Sequence, residues 1–120
     1  MWTNKDTAQV LAVATIVLSG IEKALSYFGQ QYMGFWEANI IPLNANLFSQ
    51  VGLLWGHIIL FCITIAIAGA LTIGAMMVEK VKSNSDRRIS GALIVGALVV
   101  LTIFQAIVTF HNVLLIVNAA

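Results

Sequence analysis

Long uncharged apolar stretches, separated by short polar ones, dominate the chain. No Asp, Glu, Lys or Arg occurs from Ala38 to Val78 or from Ile89 to Ala120, and Thr7 to Ile21 is uncharged as well. Stretches this long and apolar belong in lipid or in a tightly packed assembly. The pattern predicts an all-α chain: a membrane-type hydrophobic helical hairpin with an additional amino-terminal helix.

The first predicted helix covers residues 1–30. Thr3 stands three residues before Asp6, the spacing of a capping box, and an apolar run follows. Because the uncharged part is shorter than the roughly 20 residues that cross a bilayer, we interpret this helix as interfacial or partner-packing more readily than as a full span. Lys5 before an apolar run is also typical of a signal peptide, but no small-x-small cleavage site follows, so we expect the segment to be retained.

An aromatic linker over residues 31–45 is predicted to follow. It contains the chain's one proline, Pro42, and continues an aromatic group made of Tyr27, Phe28, Tyr32, Phe35 and Trp36. Tyr and Trp favour the membrane boundary, where an apolar ring and a polar tip are both accommodated. The pattern predicts an interfacial or exposed turn, and packing of these rings onto a neighbouring helix is the equal alternative.

The second predicted helix covers residues 46–82, with Asn44 or Asn46 as its cap after Pro42. A helix of that length, at roughly 1.5 Å per residue, is much longer than a hydrocarbon core of roughly 30 Å. A basic loop at 83–87 then leads into the third predicted helix at 88–118.

The region from Glu79 to Arg88 holds four of the chain's six basic residues: Lys80, Lys82, Arg87 and Arg88. Ser83 and Asp86 have capping-box spacing, so we expect Arg87 and Arg88 to be fixed on a first helical turn. Because cytoplasmic loops are enriched in Lys and Arg, we expect the loop to face the cytoplasm when the chain is in a membrane.

Small residues recur four apart along the hairpin. They are Gly52, Gly56, Ala66, Ala70 and Gly74 on the second helix and Ala92 and Gly96 on the third. In lipid, such residues let helix backbones approach closely and gain dispersion contacts. We therefore predict that they lie in helix contacts and make the hairpin compact.

Composition agrees with the membrane class. The chain has 120 residues, of which 60% are apolar and 9% charged, against roughly 25% charged residues in soluble domains. We expect one domain, either an integral membrane protein or a subunit of a membrane-derived polymer. Cys62 is the single cysteine, so no intramolecular disulfide can form, and we interpret it as a small buried hydrophobe.

Catalytic motifs are absent from the sequence. It contains no glycine-rich phosphate loop, no paired carboxylates in an apolar setting and no nucleophile with a placed base. We therefore predict no enzyme activity, no catalytic residue and no cofactor other than a structural lipid. Glu22 and Glu37 are interpreted as solvated charges at helix ends, with a role in proton transfer as the alternative.

The two histidines are predicted to lie at the same depth of the hairpin. His57 and His111 are about equally far from the basic loop, so they could share a hydrogen-bond layer with Gln50, Gln105 or Asn112. Two histidines without a nearby Cys, Asp or Glu make a poor ligand set, and no metal site is predicted.

The segment AIAGALTIGAMMVEKVKSNSDRRISGALIVGALVV places two glycine-bearing apolar helices around a short basic loop that ends in Arg87 and Arg88. It resembles the major pilins of conjugative type IV secretion systems and of the related archaeal DNA-import systems, over residues 58–105. The resemblance implies a subunit that waits in the cell membrane with its loop inside. It is then extracted, often with a bound lipid, into an extracellular helical polymer with a tubular lumen.

Carried over by position, the resemblance places Lys80, Lys82, Arg87 and Arg88 in the lumen, against lipid head groups or nucleic-acid phosphates. The implied partners are further copies of the chain, membrane lipid, secretion-system membrane components, and transient single-stranded DNA or DNA–protein cargo. Bacterial members usually have a long cleaved leader and a shorter mature chain. The extra helix and aromatic linker therefore favour an archaeal-type relative.

Two other classes fit the same pattern. A holin-like or channel-forming small membrane protein would also have a basic loop and small-residue helix contacts. An accessory transmembrane subunit of a membrane complex would show little beyond apolar helices. A separate alternative for the basic loop is that it acts only as a topology determinant.

Overall fold

The computed structural model describes residues 3–33 and 42–119. They form four helices: α1 (Asn4–Tyr32), α2 (Pro42–Val51), α3 (Leu53–Val78) and α4 (Asn84–Ala119). No strand occurs among these residues, so the predicted all-α fold is confirmed. The predictions for the linker aromatics Phe35 and Trp36 and for Glu37 concern positions outside the described residues.

The capping box predicted at the start of α1 is formed. The Asp6 amide donates to Thr3 Oγ1 at 3.3 Å, and the Thr3 amide donates to Asp6 Oδ2 at 2.8 Å. These two bonds satisfy amides that an uncapped helix leaves without partners. α1 continues to Tyr32, where the Met33 amide donates to the Gly29 carbonyl.

The second predicted helix differs from the structure because it is broken at Gly52. This residue has φ +89°, a backbone conformation that glycine adopts and other L-residues rarely do. The break turns α2 back so that the Phe48 ring lies directly against Gly56, in the space that a Cβ atom would need. Gly56 is therefore buried by a side chain of its own chain, and Gly52 serves as the break and is exposed.

The connection between α3 and α4 also has different bounds from the prediction. α3 ends at Val78, and α4 begins at Asn84. The loop between them is a tight turn in which the amides of Lys80 and Val81 donate to Met77 and Val78. The Asp86 amide donates to Ser83 Oγ at 3.4 Å, so the predicted cap starts the last helix earlier than residue 88.

α1 lies in the groove between α3 and α4 and has more extensive contact with each of them than they have with one another. Asn4 contacts Gly91 at one end, and Thr15 bonds Thr102 farther along, so α1 and α4 run parallel. Gln30 of α1 bonds His57 near the start of α3, so α3 runs antiparallel to both. The predicted hairpin exists, and the first helix, interpreted from its sequence as interfacial or partner-packing, packs into its groove.

The fully buried face of α1 is made of small and polar residues, and several of its large apolar residues point outward. Val13 is 61% exposed, whereas Ala8, Thr15 and Ser19 are fully buried. This arrangement is typical of helices in lipid, where small residues face neighbouring helices and large apolar ones face hydrocarbon. α1, α3 and α4 are each long and apolar enough to cross a membrane.

Candidate functional site

The cationic residues collect at one end of the molecule, which we call the basic end: Lys5, Lys80, Lys82, Arg87 and Arg88. Because α1 and α4 run parallel, the first turn of α1 lies beside the α3–α4 loop. Thr3 and Asn4 line a cavity of about 380 Å³ together with Glu79, Arg87 and Arg88. Five of the chain's six Lys and Arg residues thus lie at this end, whereas the sequence pattern locates only four of them there.

The four cations predicted to form the site have different roles in the loop. The Arg87 guanidinium donates to the Val81 carbonyl at 3.3 Å and to Asn84 Oδ1, and it is half-buried. Lys80, Lys82 and Arg88 are exposed, and within the described residues none of their side chains forms an ion pair. Arg87 therefore braces the turn, and the other three present their charge outward.

The seven small residues predicted to lie in helix contacts fall into two groups. Gly56 packs against Phe48, and a Cβ added to Gly74 would lie 3.4 Å from Ile94 of α4. The others are exposed within the chain: Gly52, Ala66, Ala70, Ala92 and Gly96. Their predicted contact with other helices is therefore a prediction about neighbouring molecules.

Polar residues join α1 to α4 along one interface, which we call the polar seam. Thr15 and Thr102 share a hydrogen bond of 2.7 Å, Thr109 Oγ1 donates to the Leu18 carbonyl, and Asn112 Nδ2 donates to Ser26 Oγ at 2.9 Å. Buried polar groups with partners fix one relative position of two helices, because any other register leaves them unpaired.

Glu22 belongs to the polar seam, so its interpretation as a solvated charge is wrong. It is 3% exposed, forms an ion pair with Lys23, and accepts a hydrogen bond from Ser26 Oγ at 3.1 Å. The groove between α3 and α4 buries this face of α1, which the sequence of α1 alone does not reveal. Because the two charges offset each other inside the bundle, they do not prevent α1 from crossing a membrane.

The shared layer predicted for the two histidines is not formed. His57 is buried, and its Nε2 lies 2.7 Å from Gln30 Oε1 on α1, with the Phe48 ring 4.8 Å away. His111 is exposed. Cys62 is also exposed on α3, contrary to its interpretation as a buried hydrophobe. Among the described residues, no three His, Cys, Asp or Glu side chains lie close enough together to hold a metal ion.

The polar seam corresponds to a periodic pattern of small and polar residues in α1, which the pattern of apolar residues does not reveal. The α1 residues on its buried side follow alternating steps of four and three: Ala8, Ala12, Thr15, Ser19, Glu22, Ser26 and Gly29. This is heptad spacing, carried here by small and polar residues instead of large apolar ones. Reading α1 for small residues would have predicted a helix packed on others along its whole length.

No protein-family model, curated protein or solved structure matches the chain. The geometry of the basic end and the outward helix faces are therefore the basis for a functional proposal.

Proposed function

We propose that this chain is a structural pilin subunit that polymerises from the membrane into a tubular, conjugation-like pilus serving DNA transfer or import. The observation that carries the proposal is that Ala66, Ala70, Ala92 and Gly96 all face outward while α1 occupies the groove of the hairpin. Small residues on exposed helix faces let a second backbone approach closely. Neighbouring copies of the chain are the partners that such faces fit.

The extent of uncovered apolar surface supports a polymer. In an apolar stretch of 18 residues within each long helix, the share that is buried inside the chain is 28% for α1, 11% for α3 and 17% for α4. Most of each helix must therefore be covered by lipid or by other subunits, since exposed apolar patches of this size are unstable in water. In the unassembled state lipid covers them, and in a pilus both neighbours and bound lipid do.

The length of α4 favours subunits over lipid alone. It has 36 residues, which at about 1.5 Å per residue extend about 54 Å, against a hydrocarbon core of roughly 30 Å. Apolar residues remain exposed near its end, with Leu114 42% exposed and Val117 63% exposed. A bilayer covers only part of this helix unless it tilts strongly, whereas a tube of parallel subunits covers all of it.

The basic end supplies the cargo-facing surface in this proposal. Lys80, Lys82 and Arg88 are exposed at the tip of the hairpin, where a lumen would place them against nucleic-acid phosphates. Closely spaced cations offset phosphate charge and release counterions from a nucleic acid. Lys5 adds a fifth cation at the same end.

Electron microscopy of the chain purified from membranes tests the polymer. We expect filaments with a regular subunit repeat. Gly96→Leu should prevent filaments while leaving the fold intact, because a Cβ at Gly96 meets nothing within 4 Å in the chain itself. Val13→Leu enlarges a residue that is 61% exposed on α1. It is the control for added bulk away from the outward small residues Ala66, Ala70, Ala92 and Gly96.

The outcomes separate the competing classes. Discrete particles from the unaltered chain would reject the pilin and favour a channel-forming protein or an accessory subunit. If filaments still form in Gly96→Leu, the polymer remains supported, but the proposed role of Gly96 in the contacts between subunits is contradicted. Circular dichroism of each variant in detergent shows whether the helices are retained.

A further inference from the structure

The polar seam repeats after seven residues on both of its helices. Ser26 of α1 and Asn112 of α4 are joined by a direct hydrogen bond of 2.9 Å. Ser19 and Gln105 lie seven residues earlier on the same two helices. In a parallel pair with heptad spacing, such residues occupy an equivalent layer. The seam therefore contains two stacked layers of one serine and one amide.

The Ser19–Gln105 layer differs from its neighbour because its polar atoms do not meet. Ser19 is fully buried and Gln105 is 6% exposed. Neither Ser19 Oγ nor Gln105 Oε1 has a hydrogen-bond partner among the atoms of the described residues. A buried hydroxyl or amide oxygen without a partner destabilises the folded state, so buried groups of this kind usually bind an ordered water.

We infer that one water molecule binds between Ser19 and Gln105. The two groups have complementary requirements, since the serine hydroxyl donates a proton and the amide oxygen accepts one. A single water accepts from Ser19 Oγ and donates to Gln105 Oε1, which satisfies both.

The bound water makes the polar seam continuous. Polar layers then follow one another from Thr15 and Thr102, through the water, to the cluster of Glu22, Ser26 and Asn112. Toward the basic end the interface closes with buried apolar residues, which include Ala8, Ala12 and Leu98. The water thus lies one helical turn from the buried Glu22–Lys23 pair and fixes the register of α1 against α4.

Water-edited solid-state NMR of the full chain in bilayers tests the site directly. Magnetisation starts on water protons, and its arrival at carbon atoms of individual residues is followed. We expect transfer to Ser19 Cβ and Gln105 Cδ, and none on the same timescale to the buried Leu98 methyl groups. If both carbons behave like Leu98, the layer is dry and the inference is wrong, for example because the Gln105 amide rotates to bond Ser19 itself.

A pair of variants tests whether the two residues share one water. Ser19→Ala removes one of the two hydrogen-bond partners of the water, so magnetisation transfer from water to Gln105 Cδ should be lost. Thr64→Val is the control, because the Thr64 hydroxyl is buried on α3 and donates to the Leu60 carbonyl of its own helix. Unchanged transfer to Gln105 in Ser19→Ala would contradict a shared water. The measurement on the unaltered chain decides the question even if Ser19→Ala does not fold.

Discussion

At the scale of single residues, the ion pair of Glu22 and Lys23 leads to a prediction about the free energy of unfolding. Glu22→Gln keeps a polar group beside Ser26 but leaves the Lys23 ammonium without its buried counter-charge. Breaking one side of a buried ion pair costs about 3–5 kcal/mol, whereas replacing both partners by neutral groups is often tolerated. We expect Glu22→Gln to lower the free energy of unfolding by about that amount and the added change Lys23→Met to restore most of it.

Denaturant unfolding of each variant in detergent micelles measures these differences. Glu79→Gln is the matched control, because Glu79 is exposed and is expected to change stability by less than about 0.5 kcal/mol. Equal stability of Glu22→Gln and the unaltered chain would show that Glu22 is solvated, as its sequence alone suggests.

The same residues show what sequence reasoning misses at this scale. The charge of Glu22 and the apolar neighbours of Cys62 are plain in the sequence, but burial depends on which helix lies opposite. Glu22 faces the groove filled by α1, and Cys62 faces away from it. By contrast, the Thr3–Asp6 capping box is predicted and is formed, because all of its atoms lie within four residues.

At the scale of helices, the parallel arrangement of α1 and α4 fixes a topology. The start of α1 and the α3–α4 loop lie at the basic end, and the end of α4 lies at the other end. Because cytoplasmic segments are enriched in Lys and Arg, we expect the basic end on the cytoplasmic side and the end of α4 outside. We then expect α1, α3 and α4, which are each long and apolar enough to do so, to cross the membrane.

Cysteine labelling tests this topology in a Cys62→Ala background. We expect a cysteine added before Met1 and Lys82→Cys to react with a membrane-impermeant maleimide only from the cytoplasmic side. Asn118→Cys, which is exposed near the end of α4, should react only from the opposite side. Labelling of the amino terminus and the loop from opposite sides would mean that α1 does not cross the membrane beside the hairpin.

Helix positions are predictable from the apolar pattern, but the break at Gly52 is not. Glycine inside a helix costs only about 1 kcal/mol, so a single glycine in an apolar run is as compatible with a continuous helix as with a break. What decides here is Phe48, which packs against Gly56 only when α2 turns back. That contact is tertiary, and no local rule contains it.

At the scale of the whole molecule, the candidate site is predictable in part. The charged loop stands out between two uncharged runs, so the sequence alone locates Lys80, Lys82, Arg87 and Arg88. The addition of Lys5 is not predictable in this way, because it follows from the position of α1 in the groove. The bracing role of Arg87 depends on the geometry of the turn, since its partners are a backbone carbonyl and Asn84.

The division of the loop cations leads to a prediction about nucleic-acid binding. Lys80→Gln, Lys82→Gln and Arg88→Gln combined remove three exposed charges without touching the contacts of Arg87. Each phosphate contact with single-stranded nucleic acid contributes about 0.7 to the slope of log K against log salt. If all three cations contact phosphates, the triple variant should lower the slope by about 2 in titrations of single-stranded DNA.

The same variant separates assembly from transport. Lys80 and Lys82 lie in the loop between α3 and α4, outside the helix faces that are proposed to join subunits, and Arg88 lines a cavity with Ala92 at the start of one of these faces. Because the rest of these faces extends along α3 and α4 beyond the three side chains, we expect the triple variant to form filaments as the unaltered chain does. DNA transfer through those filaments should fall, since the phosphate charge in the lumen is no longer offset. Filaments that form normally and transfer DNA undiminished, with an unchanged salt slope, would contradict a lumen position for the basic end while leaving the polymer itself intact.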